Sequence, residues 1–459
     1  MLRSLAAVSI AWLVTTGGAH AADTAAQIDA YAVHAMRQWQ TPGMAIAVIN
    51  RGRVEYLGGL GVREQGSATP MDADTVFTVA SLTKAFTAMA AAAAVDAGNI
   101  QWDEPVVKFL PGFRLRDPYV TAEASFRDLL SHRVGTFGDF QNGLALSRNQ
   151  VIELLKFDQP RAKFRAGWVY SNILYAAAGE AVARSVGMSW DEHIRRTIFV
   201  PLGMTASSTT AEALANASNR ASSHVRLRDG SVRVDPFRPQ GAWSMDNHAP
   251  AGAINSNARD MSRWLQFQLG DGSVDGRRLV SVEQFEQTHA AQALYPTREN
   301  GRSSDDFQMS GYALGWEYGQ FHGERVLSHN GLFRGHASEA LLCPSRGVAV
   351  FVFANARQGA YGLTAGVAQW ILAKYLELPD RDRAGEKYLA YKSGWEQKRV
   401  SERALWEPPS KRRAPSLALN AYAGTYTAAD DWLTYVVTMQ DNRLRLDLQQ
   451  VAEPYFAWL

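Results

Sequence analysis

The chain has 459 residues, of which 46% are hydrophobic and 20% are charged, and its formal net charge is +2. This length favours two or three domains, and this composition excludes global disorder. So small a net charge gives no electrostatic reason to expect an acidic partner, and we predict no nucleic-acid binding.

The N-terminus has the pattern of an export signal. Arg3 precedes the apolar stretch 5–14, which is too short to span a bilayer, and residues 19–21 (Ala-His-Ala) have the small side chains of a cleavage site. We therefore predict a signal peptide over residues 1–21 and a secreted protein, in a bacterial periplasm, with no stable membrane span after cleavage. An uncleaved anchor is the alternative, and it would leave the protein on the same side of the membrane.

Several kinds of site are disfavoured by missing patterns. Cys343 is the single cysteine, so no internal disulfide can form, and its apolar neighbours favour a buried structural thiol. The chain has no Cys-x-x-Cys and no His-Glu-x-x-His, so we expect no metal and no other cofactor. It also lacks Gly-x-Ser-x-Gly, which disfavours a Ser-His-Asp hydrolase.

The first elements after the signal are a predicted helix and a predicted hairpin. Residues 24–39 carry apolar side chains at helical spacing, and Pro42-Gly43 ends that element. Two apolar runs, 44–49 and 54–58, flank a glycine-containing turn. That arrangement predicts two antiparallel strands.

The stretch that begins at Phe77 predicts a closely packed helix that starts at a serine. Ser81 and Lys84 are three residues apart and share a face, so the lysine ammonium can reach the serine hydroxyl. A serine needs such a neighbour to become a nucleophile, and a helix N-terminus offers N–H groups where an oxyanion would form. Because Ser-x-x-Lys is also common as a helix cap followed by a surface lysine, the assignment depends on partners further along the chain.

Tyr170 and Asn172 are the next candidates, and they stand at the start of a predicted helix. One interpretation makes Tyr170 an aromatic plug and Asn172 the N-cap residue. The other places a phenol and an amide at the edge of a cleft, with Tyr170 acting as a general base beside the ammonium of Lys84.

His132 lies near the C-terminal end of a helix predicted over 126–135. A histidine at that position more often stabilises the last carbonyl groups of its helix than it takes part in catalysis. We therefore interpret His132 as a helix cap.

The later part of the chain predicts a sheet. Runs of β-branched and aromatic residues predict a strand with a glycine break at 311–317 and a run of strands separated by turns over 326–338, 339–343 and 348–354. A helix over 367–375 follows. With the early hairpin, these strands predict one antiparallel sheet that takes strands from both ends of the sequence. A helical region is inserted between them, so the fold class is mixed α/β (α+β).

Three motifs occur in order: Ser81-Leu-Thr-Lys84, Tyr170-Ser-Asn172 and His329-Asn-Gly331. With them the chain resembles the penicillin-recognising serine hydrolases, also called β-lactamase-related, which include class C β-lactamases, D-aminopeptidases and family VIII esterases. The resemblance covers roughly residues 25–378 and implies the β-lactamase and penicillin-binding-protein fold, with its site in a cleft between the sheet and an inserted helical subdomain.

The resemblance also divides the chain. It implies a serine hydrolase domain over residues 22–380, and the tail resembles the beginning of the lipocalin-like β domain that follows some of these hydrolases. Residues 381–415 are charged and contain Pro408-Pro409, which predicts a surface helix and a linker. Strand-like segments then predict a short, β-rich, partial domain over 416–459.

Three catalytic roles follow from the resemblance. Ser81 matches the nucleophile that is acylated, and Lys84 matches the lysine that activates it. Tyr170 matches the general base and proton shuttle.

The substrate-binding roles fall on four other residues. Asn172 matches the amide that orients the lysine and the substrate. His329 and Gly331 match the strand that lines the cleft. The backbone N–H groups of Ser81 and Leu332 match the oxyanion hole.

One motif departs from the commonest family pattern. Many relatives carry Lys-Thr-Gly where this chain has His-Asn-Gly. Because the ordinary pKa of histidine is about 6.5, His329 is expected to be largely neutral at pH 7 and to attract a substrate carboxylate only weakly. Tyr170 also loses a cationic neighbour, although Arg334 restores some positive charge if it points into the cleft.

These features predict an exported serine hydrolase that forms an acyl-enzyme on an ester or amide of a peptide or D-amino-acid derivative. The substrate is a small molecule or a peptide. One alternative is a class C-like β-lactamase. Another, of a different class, is a penicillin-binding or scaffold protein without turnover.

Overall fold

The structure is a computed structural model. It describes residues 17–138, 146–226, 231–235, 245–295, 306–356, 362–406, 417–427, 434–440, 443–448 and 456–458.

Helices and strands alternate in blocks along the chain. The described helices are α1 (Gly17–Trp39), α2 (Thr83–Asp96), α3 (Pro118–Glu123), α4 (Phe126–Leu130), α5 (Arg148–Glu153), α6 (Asn172–Ser185), α7 (Trp190–Ile194), α8 (Val200–Leu202), α9 (Ala211–Asn216), α10 (Ala249–Gly252), α11 (Ala258–Gln268), α12 (Val282–His289), α13 (Gly362–Tyr375) and α14 (Arg383–Trp406). The described strands are β1 (Gly43–Asn50), β2 (Arg53–Gly61), β3 (Phe77–Thr78), β4 (His224–Arg226), β5 (Val232–Val234), β6 (Asn255–Ser256), β7 (Ser273–Val274), β8 (Arg277–Arg278), β9 (Ala293–Leu294), β10 (Phe307–Tyr312), β11 (Glu317–Phe321), β12 (Glu324–Phe333), β13 (His336–Cys343), β14 (Val348–Ala354), β15 (Gly424–Thr427), β16 (Thr434–Gln440), β17 (Arg443–Leu448) and β18 (Phe456–Trp458).

The main sheet has eight antiparallel strands in the order β2-β1-β14-β13-β12-β11-β10-β9. The early hairpin joins the late strands through β1 and β14, where Val48 pairs with Val350. The antiparallel sheet with strands from both ends of the sequence and a helical region between them is therefore confirmed. The stretch 311–317, predicted as a strand with a glycine break, contains the end of β10, a turn and the start of β11.

The two faces of this sheet contact different helices. On one face, a large apolar core includes α2, α6 and α11, and Phe77 stacks on Phe353 with ring centroids 3.5 Å apart. On the other face, a second core includes α1 and α13. Strands β13 and β14 are buried along their whole length, as expected for strands covered on both faces. Cys343 is fully buried in the second core, and burial raises its pKa, so the prediction of a buried thiol is confirmed.

The C-terminal region has the predicted helix and strands. Helix α14 is tied to α1, since Trp39 Nε1 donates to the carbonyl of Ala384 over 3.2 Å. Strands β15 to β18 form a separate four-stranded antiparallel sheet. Residues 407–416 of the predicted linker lie outside the described residues, and the lipocalin-like assignment remains a prediction.

The predicted export signal falls largely outside the described part of the chain. Its Arg3 and its apolar stretch 5–14 are not described, whereas residues 19–21 belong to α1. The signal peptide therefore stays a prediction. Among the helices that are described, none is both long enough and apolar enough to cross a membrane.

Candidate active site

Ser81 lies on a short 3₁₀ turn, Ala80–Leu82, that leads directly into α2. The helix itself therefore starts two residues after the serine, at Thr83. The preceding residue anchors the turn, because the Val79 N–H donates to Ile254 O over 2.9 Å and Val79 O accepts from Ser338 Oγ over 2.8 Å. Ala80 has a φ of +50°, a left-handed conformation that costs a residue with a Cβ about 1–2 kcal/mol. Such local strain is a common property of functional sites.

Lys84 is completely buried and points at this serine. Its Nζ lies 3.2 Å from Ser81 Oγ, 2.8 Å from Asn172 Oδ1 and 2.8 Å from the carbonyl oxygen of Ala251. Burial lowers the pKa of Lys84 well below its ordinary value, because the charged form loses its hydration. A neutral amine has two N–H groups and one lone pair. The amide and the carbonyl oxygens accept the two N–H groups, which leaves the lone pair for Ser81.

Tyr170 reaches the same oxygen from another side. Its hydroxyl donates to Ser81 Oγ over 2.9 Å, and Lys84 Nζ lies 4.6 Å from the centre of its ring. Ser171, not Asn172, is the N-cap residue of α6, with its Oγ accepting from the Leu174 N–H. The N-cap interpretation of Asn172 is therefore wrong, and its side chain is available to Lys84.

Strand β12 passes close to the serine turn. A Cβ at Gly331 would lie 2.1 Å from Val79 O, so only a glycine permits this approach. The first half of β12 pairs with β11 as far as Ser328. From His329 to Phe333, the strand pairs with β13 alone among the described residues. The other edge of this half, which includes Leu332, is therefore not occupied by a described strand.

A family of known proteins matches most of this chain. The family model described as Beta-lactamase matches residues 28–374. The chain belongs to the beta-lactamase family. Its beta-lactamase fold, with an antiparallel sheet flanked by helices, agrees with the family predicted from the three motifs.

Two curated members of the family illustrate the range of relatives. Unguisins hydrolase ungD from Aspergillus violaceofuscus is 28% identical over 417 residues, which cover 85% of this chain and 73% of that protein. Penicillin-binding protein 4 from Amycolatopsis lactamdurans is 30% identical over 325 residues, which cover 68% of this chain and 81% of that protein.

A solved structure extends the similarity of the fold. The octameric penicillin-binding protein homologue from Pyrococcus abyssi superposes with a TM-score of 0.66 at 21% identity. The match covers 95% of this chain and 90% of that one. At this identity, the likeness concerns the fold.

The histidine of the third motif is buried in this beta-lactamase-family site. His329 is 2% exposed, its Nε2 lies 2.9 Å from the Tyr312 hydroxyl, and its Nδ1 lies 2.7 Å from the carbonyl oxygen of Asn330. Both ring nitrogens therefore have partners within the protein.

Arg334 does not offer an unpaired cation to the cleft. Its Nε and Nη2 bind the two carboxylate oxygens of Asp235 over 2.8 and 3.0 Å. Asp235 directly follows β5, so this bidentate ion pair ties the end of β12 to the β4–β5 hairpin. Most of the positive charge expected from Arg334 is thus balanced by the carboxylate.

His132 has a different role from the predicted helix cap. Helix α4 ends at Leu130, and Ser131 is its C-cap residue. His132 Nδ1 accepts a hydrogen bond from the Ser171 N–H over 3.1 Å, and its ring lies 4.4 Å from that of Tyr170. The helix-cap interpretation is therefore wrong, since His132 supports the Tyr170 segment.

Sequence reasoning missed other parts of the site. Ala251, whose carbonyl oxygen accepts from Lys84, was visible only as one member of a loop of small residues. Tyr175 and Tyr312 are fully buried beside the site, and nothing in the sequence distinguishes them from ordinary core residues. Among the described residues, no group of three or more His, Cys, Asp or Glu side chains could hold a metal ion.

Proposed function

We propose that this protein is an exported serine hydrolase which forms an acyl-enzyme at Ser81 on an ester or amide bond. The observation that carries the proposal is the convergence of two proton-transfer groups on one oxygen. Lys84 Nζ and the Tyr170 hydroxyl lie 3.2 and 2.9 Å from Ser81 Oγ, within the range expected for a nucleophile and its base.

Acylation begins with removal of the serine proton. Neutral Lys84 accepts the proton from Ser81 Oγ and becomes an ammonium, while Oγ attacks the carbonyl carbon of the substrate. The C=O bond becomes an oxyanion, which the N–H groups of Ser81 and Leu332 stabilise. The intermediate then collapses, and Tyr170 gives its hydroxyl proton to the departing group. The resulting phenolate is next to the ammonium of Lys84, which favours its charge.

Deacylation reverses these transfers with water in place of the leaving group. The Tyr170 phenolate takes a proton from water, and the hydroxide formed attacks the ester carbonyl. The Ser81–acyl bond breaks, and Lys84 returns its proton to Ser81 Oγ. Asn172 holds the Lys84 amine in place through its 2.8 Å contact in both halves of the cycle.

The half of β12 from His329 to Phe333 favours a particular class of substrate. Half of β12 has an edge that no described strand occupies, which suits an extended acyl donor such as a peptide. Because both nitrogens of His329 have partners and Arg334 is paired with Asp235, we propose a substrate without a carboxylate that must be neutralised on this strand. Peptide and D-amino-acid amides or esters fit this description better than β-lactams do. The name of the relative unguisins hydrolase ungD supports hydrolysis.

The test compares kcat/KM on three chromogenic substrates with the purified mature chain. Nitrocefin represents β-lactams, a short-chain p-nitrophenyl ester represents esters, and D-alanyl p-nitroanilide represents D-amino-acid amides. Ser81→Ala is the blank, and Ser185→Ala, on the far end of α6, is a matched control for the serine substitution. The proposal expects the ester or the anilide to dominate and Ser81→Ala to lose on the order of 10³ or more in rate.

Other outcomes have a definite meaning. Dominance of nitrocefin would identify a class C-like β-lactamase. A stable acyl adduct on Ser81, seen by mass spectrometry without turnover of any substrate, would identify a penicillin-binding protein that does not hydrolyse. Full activity in Ser81→Ala would refute the acyl-enzyme. Export is tested separately by N-terminal sequencing of protein from the periplasmic fraction, for which we expect a start just after Ala21.

A further inference from the structure

The histidine on the cleft strand has a phenol as its partner. Tyr312, at the end of β10, is fully buried, and its hydroxyl lies 2.9 Å from His329 Nε2. The other ring nitrogen of His329 lies 2.7 Å from the carbonyl oxygen of Asn330. Neither contact involves a charged group, and together they engage both nitrogens of the imidazole.

These two contacts limit where the protons of the ring can be. A carbonyl oxygen can only accept, so Nδ1 of His329 carries a hydrogen. In the neutral ring, Nε2 then has a lone pair, and the Tyr312 hydroxyl donates to it. Burial raises the pKa of Tyr312 well above its ordinary value, so this phenol keeps its proton. A donor that does not ionise favours the neutral imidazole, because protonation of Nε2 would remove the acceptor.

A charged imidazole would require a rearranged network. Its Nε2–H would have to donate to the Tyr312 oxygen, and Tyr312 would have to turn its own proton away from His329. The hydroxyl of Tyr175, another fully buried tyrosine, donates to the carbonyl of Leu130.

Among the described residues, the nearby titratable groups on the cleft face of the sheet do not favour a cation either. The Tyr170 ring lies 6.3 Å from that of His329, and Lys84 Nζ lies 4.6 Å from the centre of the Tyr170 ring. His132 lies 4.8 Å from the Tyr312 ring. Lys84, when protonated, would repel a second cation.

The carboxylates on neighbouring strands lie across the sheet from His329. Glu317 pairs with Ser328 and Glu339 pairs with Asn330, and residues directly opposite each other in antiparallel strands share a face. Because successive side chains alternate between faces, both carboxylates point away from the face of His329.

We propose that Tyr312 is a positioning residue that holds His329 in its neutral Nδ1–H form, and that it thereby selects acyl donors without a carboxylate next to the scissile bond. The inference deepens the proposed function and rests on it for the identity of the nucleophile. Tyr312 does not touch the substrate in this account. It acts by preventing the strand from presenting a cation.

The kinetic test uses two esters with the same acyl group, phenyl phenylacetate and 3-carboxyphenyl phenylacetate. The ratio of kcat/KM for the carboxylate ester to that for the neutral ester is measured from pH 8.5 to 5.5. Taking the ratio removes titration of Lys84, which both substrates share. The wild-type ratio should stay nearly constant. In Tyr312→Phe, Nε2 of His329 loses its hydrogen-bond donor and becomes free to take a proton, so the ratio should rise severalfold toward pH 5.5.

Tyr175→Phe is the matched control, because it also removes the hydroxyl of a buried tyrosine beside the site but leaves the contact between Tyr312 and His329. Its ratio should follow that of the wild type. If Tyr312→Phe lowers kcat/KM for both substrates by one common factor at every pH, Tyr312 has a structural role only and the proposal is wrong.

A second measurement does not depend on turnover. Long-range ¹H–¹⁵N spectra of protein with labelled histidines report which imidazole nitrogen carries the proton, and His329→Gln identifies the His329 signals. The wild type should show the neutral Nδ1–H form at pH 7, and an Nε2–H form or an imidazolium would overturn the proposal even if Tyr312→Phe did not fold. Failure of the acyl-enzyme would appear instead as hydrolysis that survives Ser81→Ala.

Discussion

Replacing Lys84 with methionine should abolish activity while it changes how stability depends on pH. Methionine has a similar length and no proton to exchange. Without the amine, Ser81 has no base at 3.2 Å, and we expect kcat/KM to fall by on the order of 10³ or more, since such groups act as a unit.

The change in stability follows from the lowered pKa of Lys84. In the unfolded chain, this lysine has a pKa near 10.4, whereas in the folded protein burial lowers it. Between these two values, the unfolded state binds more protons, so the free energy of unfolding rises with pH by up to about 1.4 kcal/mol per pH unit. The uncharged side chain in Lys84→Met cannot contribute this slope.

Loss of the two hydrogen bonds that Lys84 donates adds a constant to the difference in unfolding free energy between Lys84→Met and the wild type. Asn172 Oδ1 and the Ala251 carbonyl lose their donor, which costs about 1–3 kcal/mol for each group left unsatisfied. That cost does not depend on pH. The slope therefore isolates the titration of Lys84 from the loss of its contacts.

The assay is urea unfolding of the wild type and Lys84→Met at several pH values between 6.5 and 9.5. The difference in unfolding free energy should move steadily in favour of the wild type as pH rises. Lys108→Met makes the same chemical change at a side chain that is 59% exposed, and it should leave both activity and slope unaltered. A difference that stays flat with pH, or a loss of activity of tenfold or less, would refute the assignment of Lys84 as a buried neutral base.

Three further substitutions or treatments test other parts of the site. Gly331→Ala should lower kcat/KM by about 10² or more, because the new Cβ would lie 2.1 Å from Val79 O and displace β12, and a misplacement of about 1 Å can cost this much. Circular dichroism should show that the fold is retained. Gly112→Ala, where nothing lies within 4 Å of the new Cβ, is the control, and equal activity in the two variants would contradict the close approach. His329→Lys should place a permanent cation on the strand and speed acylation by benzylpenicillin, measured by mass spectrometry; an unchanged rate would remove this position from carboxylate recognition. N-ethylmaleimide should leave the native enzyme active, because Cys343 is fully buried and burial raises the pKa of its thiol, whereas rapid modification before unfolding would show that this thiol is accessible.

Much of the fold follows from patterns that are local in the sequence. Two apolar runs around a glycine turn predict the β1–β2 hairpin, and strong apolar runs predict β13 and β14. Boundaries are less predictable where a strand turns back on itself, as at Gly315, whose φ of +83° permits the turn between β10 and β11. A sequence that alternates glycine and aromatic residues does not show whether the strand continues or turns.

Some residues of the candidate site are likewise predictable from the local sequence, and others are not. Ser81 and Lys84 are predictable because their spacing on one helical turn brings them together. Tyr170 and His329 are predictable only through the family resemblance, since 89 and 248 residues separate them from Ser81. Tyr312 has the sequence context of a core aromatic, and its contact with His329 depends on the pairing of β10, β11 and β12.

His132 illustrates why a sound local rule can fail. A histidine after a short helix has carbonyl groups within reach, and the rule assumes that its own helix offers the best partner. Here residue 132 adopts a φ of +61°, which turns the chain after Ser131. The ring then lies against Tyr170 and accepts from Ser171, a segment that local sequence cannot place nearby.

The alanine-rich sequence around Lys84 shows how stability and function are combined. Most residues of α2 are buried, and all of those from Ala88 to Ala94 are alanines except Met89, whereas Lys84 is an ionisable residue in the same buried helix. A buried lysine there opposes folding, because the unfolded chain gains a hydrated cation. The same burial lowers the pKa of the amine, which in the proposed mechanism takes a proton from Ser81. Asn172 in α6 and the Ala251 carbonyl in α10 hold this same amine beside Ser81, so the lysine that opposes folding is the one that its neighbours position.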